Sequence, residues 1–204
     1  MADEQPQSTG RKLRADAQRN RERILVAARE EFTRSGADAS LDEIAKRAGV
    51  GPGTLYRHFP TRDELLQAVY RSQVEKLSAS AGRLLQELPP IGALRAWMLL
   101  LIDYFATKKL IAPALAASVA FPSEVIEQIR TLPRDAILTL VRRSIEDGSI
   151  DQNIDAIDLL HALVGVAYLD DSPDGEHRAR RLVDILIEGS RPRTSRPLGI
   201  ESTP

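Results

Sequence analysis

The feature that most constrains the fold is a dense series of helix start and stop signals in the first third of the chain. Two capping boxes, Ser40–Glu43 and Thr61–Glu64, each predict a helix start, because the Ser or Thr hydroxyl can accept a hydrogen bond from the amide three residues on. Between the boxes, Gly49 favours a helix end and Pro60 prevents a helix from continuing. Only two helices of about two turns each fit into this interval.

These two short helices, predicted over Leu41–Ala48 and Pro52–Phe59, form a helix-turn-helix layout. In such a unit, the second helix presents its N-terminal residues to base edges in the major groove of DNA. Here those residues are Pro52, Gly53 and Thr54. Because the first two are small, the helix backbone and Thr54 can approach the bases closely.

The second short helix also carries three side chains that suit contact with DNA, namely Tyr56, Arg57 and His58. Tyrosine and histidine can donate to phosphate oxygens, and arginine can either pair with guanine or neutralise a phosphate. Alternatively, Tyr56 and His58 pad the joint with the next helix. We favour DNA binding because the surrounding segment, residues 10–60, contains eleven Lys or Arg and seven Asp or Glu.

The rest of the chain predicts helices and no strands. Leu and Ala, two good helix formers, account for 51 of the 204 residues, and only nine residues are aromatic. We therefore predict an all-α protein with a disordered arm over 1–15, a helix-turn-helix domain over 16–62, a second helical domain over 63–190 and a disordered tail over 191–204. Periodicity and breakers predict further helices, besides the long one after Thr61, over 19–35, 92–107, 111–119, 124–146, 154–169 and 175–188.

Several classes of function find no support in the sequence. Without cysteine there are no disulfides, thiolate metal sites or cysteine nucleophiles, and no Gly-rich phosphate loop or catalytic motif is present. We therefore expect neither an enzyme nor a bound cofactor or metal. The densest apolar run, Ala96–Ile102, is far shorter than the ~20 residues of a membrane span, and the polar N-terminus lacks a signal-peptide pattern. These observations predict a cytoplasmic protein without a membrane partner.

Residues 21–66 resemble the TetR family of bacterial transcriptional regulators. The similarity includes ILVAAREEFTRSGADASLDEIAKRAGV and GTLYRHFPTRDELL, of which Gly-Thr-Leu-Tyr-x-His-Phe is the most specific part. Two departures from the common family pattern stand out. The pair Gly51-Pro52 can alter which bases are read, whereas Pro60 lies outside the helix and is a tolerated variant.

The resemblance implies roles for individual residues in the first domain. Thr54, Tyr56 and His58 would contact DNA, and Arg62 would contact phosphate at the start of the next helix. The beginning of the first short helix would also meet phosphate, through Ser40 or the amide of Leu41.

For the rest of the chain, the resemblance implies a helical domain that binds a small ligand and forms a homodimer through its last two helices. Such a protein is a cytoplasmic regulator, bound to the nucleoid when on DNA, and usually a repressor released from a palindromic operator by an inducer. Two copies are needed because one recognition helix makes too few base contacts for useful specificity. The alternative is a helical adaptor whose basic head binds an acidic protein.

Residues of the second domain divide into two candidate sets. The ligand would be an apolar or amphipathic small molecule, cationic if Asp103 faces inward, and its candidate contacts are Trp97, Met98, Asp103, Tyr104 and His161. The alternative for these residues is ordinary core or surface. The dimer would use apolar stripes that are wide for helices so near the C-terminus, with candidate residues Ile157, Leu160, His161, Val164, Val183, Leu186 and Ile187.

Overall fold

The computed structural model describes residues 7–117, 123–169 and 174–192, and the regular elements within these ranges are all helical. This confirms the all-α prediction. A short 3-10 helix, Gly36–Asp38, follows the first helix. The α-helices are α1 Gln7–Ser35, α2 Leu41–Ala48, α3 Pro52–His58, α4 Arg62–Glu87, α5 Pro90–Ala117, α6 Ser123–Glu146, α7 Ala156–Leu169 and α8 Gly175–Gly189.

Two of the predicted boundaries are wrong. Helix α1 begins at Gln7, where the sequence predicts a disordered arm up to residue 15. Five of the nine residues over 7–15 are Arg, Lys, Leu or Ala and none is proline, so helix propensity decides the structure of this polar segment. The helices predicted over 92–107 and 111–119 form the single helix α5, because neither glycine nor proline separates them. Residues 1–6, 118–122, 170–173 and 193–204 lie outside the described residues.

The described residues divide into two compact units. The first contains α1, α2, α3 and α4 as far as Glu75, together with described residues of Thr107–Ile129. Its core is built from one stripe of each helix, as the helical period requires. The fully buried side chains of this core include Ile24, Phe32, Ile44, Leu55, Leu65 and Leu66.

The second unit contains α4 from Lys76, α5 as far as Ala106, and the described chain from Arg130 onward. Trp97 is fully buried at its centre, and the indole Nε1 donates to the carbonyl of Leu77 at 2.9 Å. This bond satisfies the only polar group of the buried ring. Other core side chains are Leu94, Met98, Leu101, Ile137, Leu140, Leu163 and Val183.

Within the described residues, none of the helices combines the length and the apolar character needed to cross a membrane.

Candidate nucleic-acid interface

Both capping boxes begin helices in the structure. The Ser40 hydroxyl accepts a hydrogen bond from the amide of Glu43 at 3.4 Å, and the Thr61 hydroxyl accepts one from the amide of Glu64 at 3.1 Å. The Glu43 carboxylate lies 3.6 Å from Lys46 Nζ, on the next turn of α2. The starts of α2 and α4, which bracket the helix-turn-helix, are therefore fixed by local sequence.

The turn between α2 and α3 depends on Gly49. This residue has φ 62° and ψ 39°, and the amides of Gly49 and Val50 donate to the carbonyls of Lys46 and Ala45 at 3.0 Å each. These two bonds form a Schellman motif, which requires a left-handed residue at this position. The Gly49 carbonyl also accepts a hydrogen bond from Arg23 of α1 at 3.2 Å, and a Cβ atom on Gly49 would collide with that guanidinium.

Helix α3 is short and anchored on one side only. Pro52 occupies its first turn, and the carbonyl of Gly51 accepts from the amides of Thr54 (2.9 Å) and Leu55 (3.2 Å). Leu55 and Phe59 are buried, whereas Pro52 and Gly53 are exposed. The N-terminal turn of α3 thus projects from the core with little side-chain bulk in front of its backbone.

The polar side chains of α3 lie in three different environments. Tyr56 is 47% exposed, so it does not pad the joint with the next helix. Arg57 folds back on its own helix, donating to the Gly53 carbonyl at 3.2 Å and to the Thr54 hydroxyl at 3.0 Å. His58 is half-buried, and its ring centroid lies 6.3 Å from that of Phe59, so this residue partly fills the joint.

Arg62 is occupied within the protein. Its Nη1 donates to the carbonyl of Ala39 at 2.5 Å, and its guanidinium lies 5.2 Å from the ring centroid of Phe32. The residue therefore ties the loop before α2 to α1, a role that sequence reasoning missed. The three residues are far apart in the chain, and no local signal links them.

A buried carboxylate joins α1 to α2. Glu31 accepts hydrogen bonds from Arg34 and from the Ser35 hydroxyl (3.1 Å), and it lies 3.7 Å from Arg47 of α2. Burial on its own raises the pKa of Glu31, but the hydrogen bonds from Arg34 and Ser35 and the charges of Arg34 and Arg47 hold that pKa below its ordinary value. Sequence reasoning missed this network as well.

Two family models match this chain and together account for most of it. Residues 24–69 match the model described as bacterial regulatory proteins, tetR family, and residues 89–192 match the model described as transcriptional regulator SbtR-like, C-terminal domain. The chain belongs to the TetR family. The family consists of DNA-binding transcription factors rather than enzymes.

Solved structures of TetR-family proteins resemble the chain over most of its length. The TetR transcriptional regulator SCO0520 from Streptomyces coelicolor is 43% identical, with 86% of this chain and 99% of that one covered and a TM-score of 0.78. A TetR regulatory protein from Mycobacterium vanbaalenii is 29% identical, with 88% and 99% covered and a TM-score of 0.75.

Curated transcriptional regulators match only part of this chain. The transcriptional regulator SrpR of Pseudomonas putida is 42% identical over 88 residues, which are 43% of this chain and 38% of the relative. The uncharacterized regulator TtgW, also from Pseudomonas putida, is 42% identical over 88 residues and 61% of its length is covered. The chain thus spans less than two thirds of these relatives.

In the second unit of this TetR-family chain, the five predicted ligand contacts do not share one environment. Trp97 and Met98 are fully buried in the core. Asp103 pairs with Arg180 of α8 at 2.5 Å, and Tyr104 is half-buried with its ring centroid 5.3 Å from that of Phe105. His161 is exposed. Among the residues that the structure describes, His, Asp and Glu form no group of three able to hold a metal.

The residues predicted to form the dimer interface also differ in burial. Val183 and Ile187 of α8 are buried within the core of the second unit, so they offer no surface to another chain. His161 is exposed, and the remaining candidates, Ile157, Leu160, Val164 and Leu186, are half-buried. The apolar side chains that α8 does expose are Leu182 (39%) and Ile185 (63%), which the sequence interpretation did not select.

Proposed function

We propose that this TetR-family protein is a transcriptional repressor that binds a palindromic operator as a homodimer and leaves it when a small molecule binds. The observation that carries the proposal is the exposed N-terminal turn of α3, where Pro52 and Gly53 leave the backbone accessible. Family membership supports the rest, because it implies DNA binding, dimerisation and a small-molecule ligand.

On DNA, the groups of α3 divide between reading bases and holding phosphates. Pro52, Gly53 and Thr54 face the base edges, and Thr54 is already held by Arg57 at 3.0 Å. A preformed pair of this kind loses little side-chain entropy when it binds. Tyr56 donates its exposed hydroxyl to a phosphate oxygen, and His58 contacts phosphate from its half-buried position.

In the proposed complex, the start of α2 and Arg62 also contact phosphates. The Ser40 oxygen accepts from the Glu43 amide, which leaves the hydroxyl proton available for a phosphate. The amide of Leu41, at the positive end of α2, points toward the same phosphate. Arg62 donates to the carbonyl of Ala39, so it positions α2 beside the phosphate that it is proposed to contact.

Two copies of the chain pair through α7 and α8. The exposed side chains Leu182 and Ile185 offer an apolar stripe on α8, and the half-buried candidates Leu160 and Val164 continue it on α7. A two-fold axis sets these helices against their copies as four helices, which removes the stripe from water. Half-site centres then lie about 34–36 Å apart or at a larger phased separation.

The small molecule binds in the second unit, near α5. Trp97, Met98 and Tyr104 supply apolar and aromatic surface, and the polar groups are His161 and Asp103, which pairs with Arg180. Because Trp97 and Met98 are packed in the core, a ligand must either lie against their outer neighbours or displace them.

Selection of bound duplexes from a random DNA pool tests the proposal directly. The full chain should enrich a palindrome whose affinity falls steeply as salt rises. A basic-headed adaptor, by contrast, would bind acidic polymers with no sequence preference. Enrichment of no duplex, or of one without two-fold symmetry, would contradict the proposed mode of binding.

A further inference from the structure

The excess of positive charge in residues 7–60 lies in one place, the N-terminal half of α1. Residues 7–23 contain six Lys or Arg against two Asp or Glu, whereas residues 24–60, which carry the helix-turn-helix, contain five of each. Residues 24–60 therefore carry no net charge. Neutralisation of phosphates supplies a large share of the free energy of protein–DNA binding, so we expect a basic surface outside this segment.

The cations within residues 24–60 are also largely engaged in the protein. Arg34 and Arg47 pair with Glu31, Lys46 lies 3.6 Å from the Glu43 carboxylate, and Arg57 bonds to its own helix. The charges of Arg34, Arg47 and Lys46 are locally compensated and contribute little to attraction at long range. Arg57 differs, because its acceptors are neutral and its charge remains.

Residues 7–23 extend α1 well beyond the part that matches the family model. The helix has 29 residues from Gln7 to Ser35, and the match to the family model begins only at residue 24. Residues 7–23 thus add about 25 Å of helix before that point.

One contact shows where this extension meets α3. The guanidinium of Arg21 lies 5.3 Å from the ring centroid of Phe59, the residue that ends α3. Helix α3 is only about 10 Å long, close to the width of the major groove. With α3 in the major groove as proposed, a residue at the C-terminal end of so short a helix lies near the phosphates that border the groove.

The same face of α1 continues away from α3 through Arg14. Arg14 precedes Arg21 by seven residues, two helical turns, so the two side chains share a face, and Arg14 is exposed. Arg19 differs, because it lies about 200° around the helix from Arg21. It pairs with Asp16 and lines a groove shared with Arg47 and Ala48 of α2.

We propose that the N-terminal extension of α1, residues 7–23, is a second DNA-binding element. Arg21 and Arg14 bind phosphates that flank the half-site contacted by α3. The inference rests on the proposed DNA binding, and it adds a contact that reads no bases. It also supplies an electrostatic attraction to DNA that residues 24–60, which carry no net charge, lack.

The test compares two duplexes, both carrying the palindrome that the wild-type chain selects from a random pool. The short duplex ends at the outer edge of the palindrome, and the long one adds about one helical turn of arbitrary sequence on each side. The full-length chain, Arg14→Ala, Arg14→Lys and the matched control Arg19→Ala are titrated on both over a range of salt concentrations.

On the long duplex, Arg14→Ala should lose about fivefold in affinity at 0.15 M salt, and about 0.9 in salt slope, for each phosphate contact removed. A dimer loses two contacts, which doubles the change in slope. Arg14→Lys should restore both values, and Arg19→Ala should match the wild type. On the short duplex all four proteins should bind alike.

Two results would overturn the proposal. One is equal affinity and slope for Arg14→Ala and the wild type on the long duplex, and the other is an equal loss for Arg19→Ala. If the wild type enriches no duplex, the proposed function itself fails, and the inference falls with it. Enrichment combined with an unaffected Arg14→Ala removes only the second contact.

Discussion

Gly49 and Gly53 stand four residues apart, but only Gly49 lies at a position that requires glycine. Gly49 has a left-handed backbone and faces the Arg23 guanidinium, whereas a Cβ atom on Gly53 would meet nothing within 4 Å. Gly49→Ala should therefore lower the free energy of unfolding by about 1–2 kcal/mol, since a side chain strains this conformation. Chemical denaturation measures the loss.

Gly53→Ala is the matched control for that substitution. Alanine at an exposed helical position should leave stability unchanged or raise it slightly, because alanine is the better helix former. Its methyl group should still weaken DNA binding, since it holds the backbone of α3 away from the bases. A Gly53→Ala protein that is less stable than Gly49→Ala would contradict this account of the turn.

Tyr56 and Arg62 should respond differently to substitution although both are proposed to contact phosphate. Tyr56→Phe removes an exposed hydroxyl, so affinity should fall by about tenfold for all sequences alike while the melting temperature stays constant. Arg62→Ala should also lower the melting temperature, because it removes the bond to Ala39 and the cover over Phe32. Equal melting temperatures for both variants would contradict the positioning role of Arg62.

At the scale of the elements, the link between α1 and α2 should depend on pH through Glu31. Its pKa is lower in the folded protein than the ordinary value of 4.5, so the unfolded chain takes up the proton first as the pH falls. The stabilisation is therefore present above the unfolded pKa and is lost as the pH falls through the folded pKa. Denaturation of Glu31→Gln between neutral and acid pH should show lower stability at pH 7 and a shallower acid decline.

Glu30→Gln provides the control for that experiment. The Glu30 carboxylate is 51% exposed and lies 3.9 Å from Arg47, so solvent screens the pair and its removal should change stability little. A wild-type acid decline that persists unchanged in Glu31→Gln would assign the pH dependence to other carboxylates.

The elements also divide into those that the sequence predicts and those that it does not. Helices α2 and α3 follow from Ser40, Gly49 and Pro60, because caps and breakers act through neighbouring residues. The polar composition of residues 7–15 predicts disorder, but the helix propensity of the same residues prevails in the structure. The role of Arg62 and the burial of Val183 depend on residues distant in the chain, and a helical stripe does not reveal which partner covers it.

At the scale of the whole molecule, a substitution at Ile185 should affect dimer assembly, whereas one at Val183 should affect folding. Ile185→Asp places a charge on an exposed position, so the chain should stay helical but sediment as a monomer and bind the operator weakly. Val183→Asp buries a charge in the core and should unfold the second unit. Sedimentation and circular dichroism distinguish the two outcomes, and a dimeric Ile185→Asp protein would move the interface away from α8.

Release from DNA requires that the inducer and the operator favour different conformations of the dimer. A ligand with equal affinity for both conformations shifts nothing, however tightly it binds. Linkage makes the effect reciprocal, so an inducer that weakens DNA binding by a given factor must itself bind more weakly, by that factor, to the operator complex. The buried Trp97 indole, bonded to Leu77, should report ligand binding as a change in fluorescence. Inducer titrations with and without operator should therefore give affinities that differ about 5–150-fold, matched by the loss of operator affinity at saturating inducer. A compound that changes Trp97 emission with the same affinity in both titrations binds the protein without controlling it.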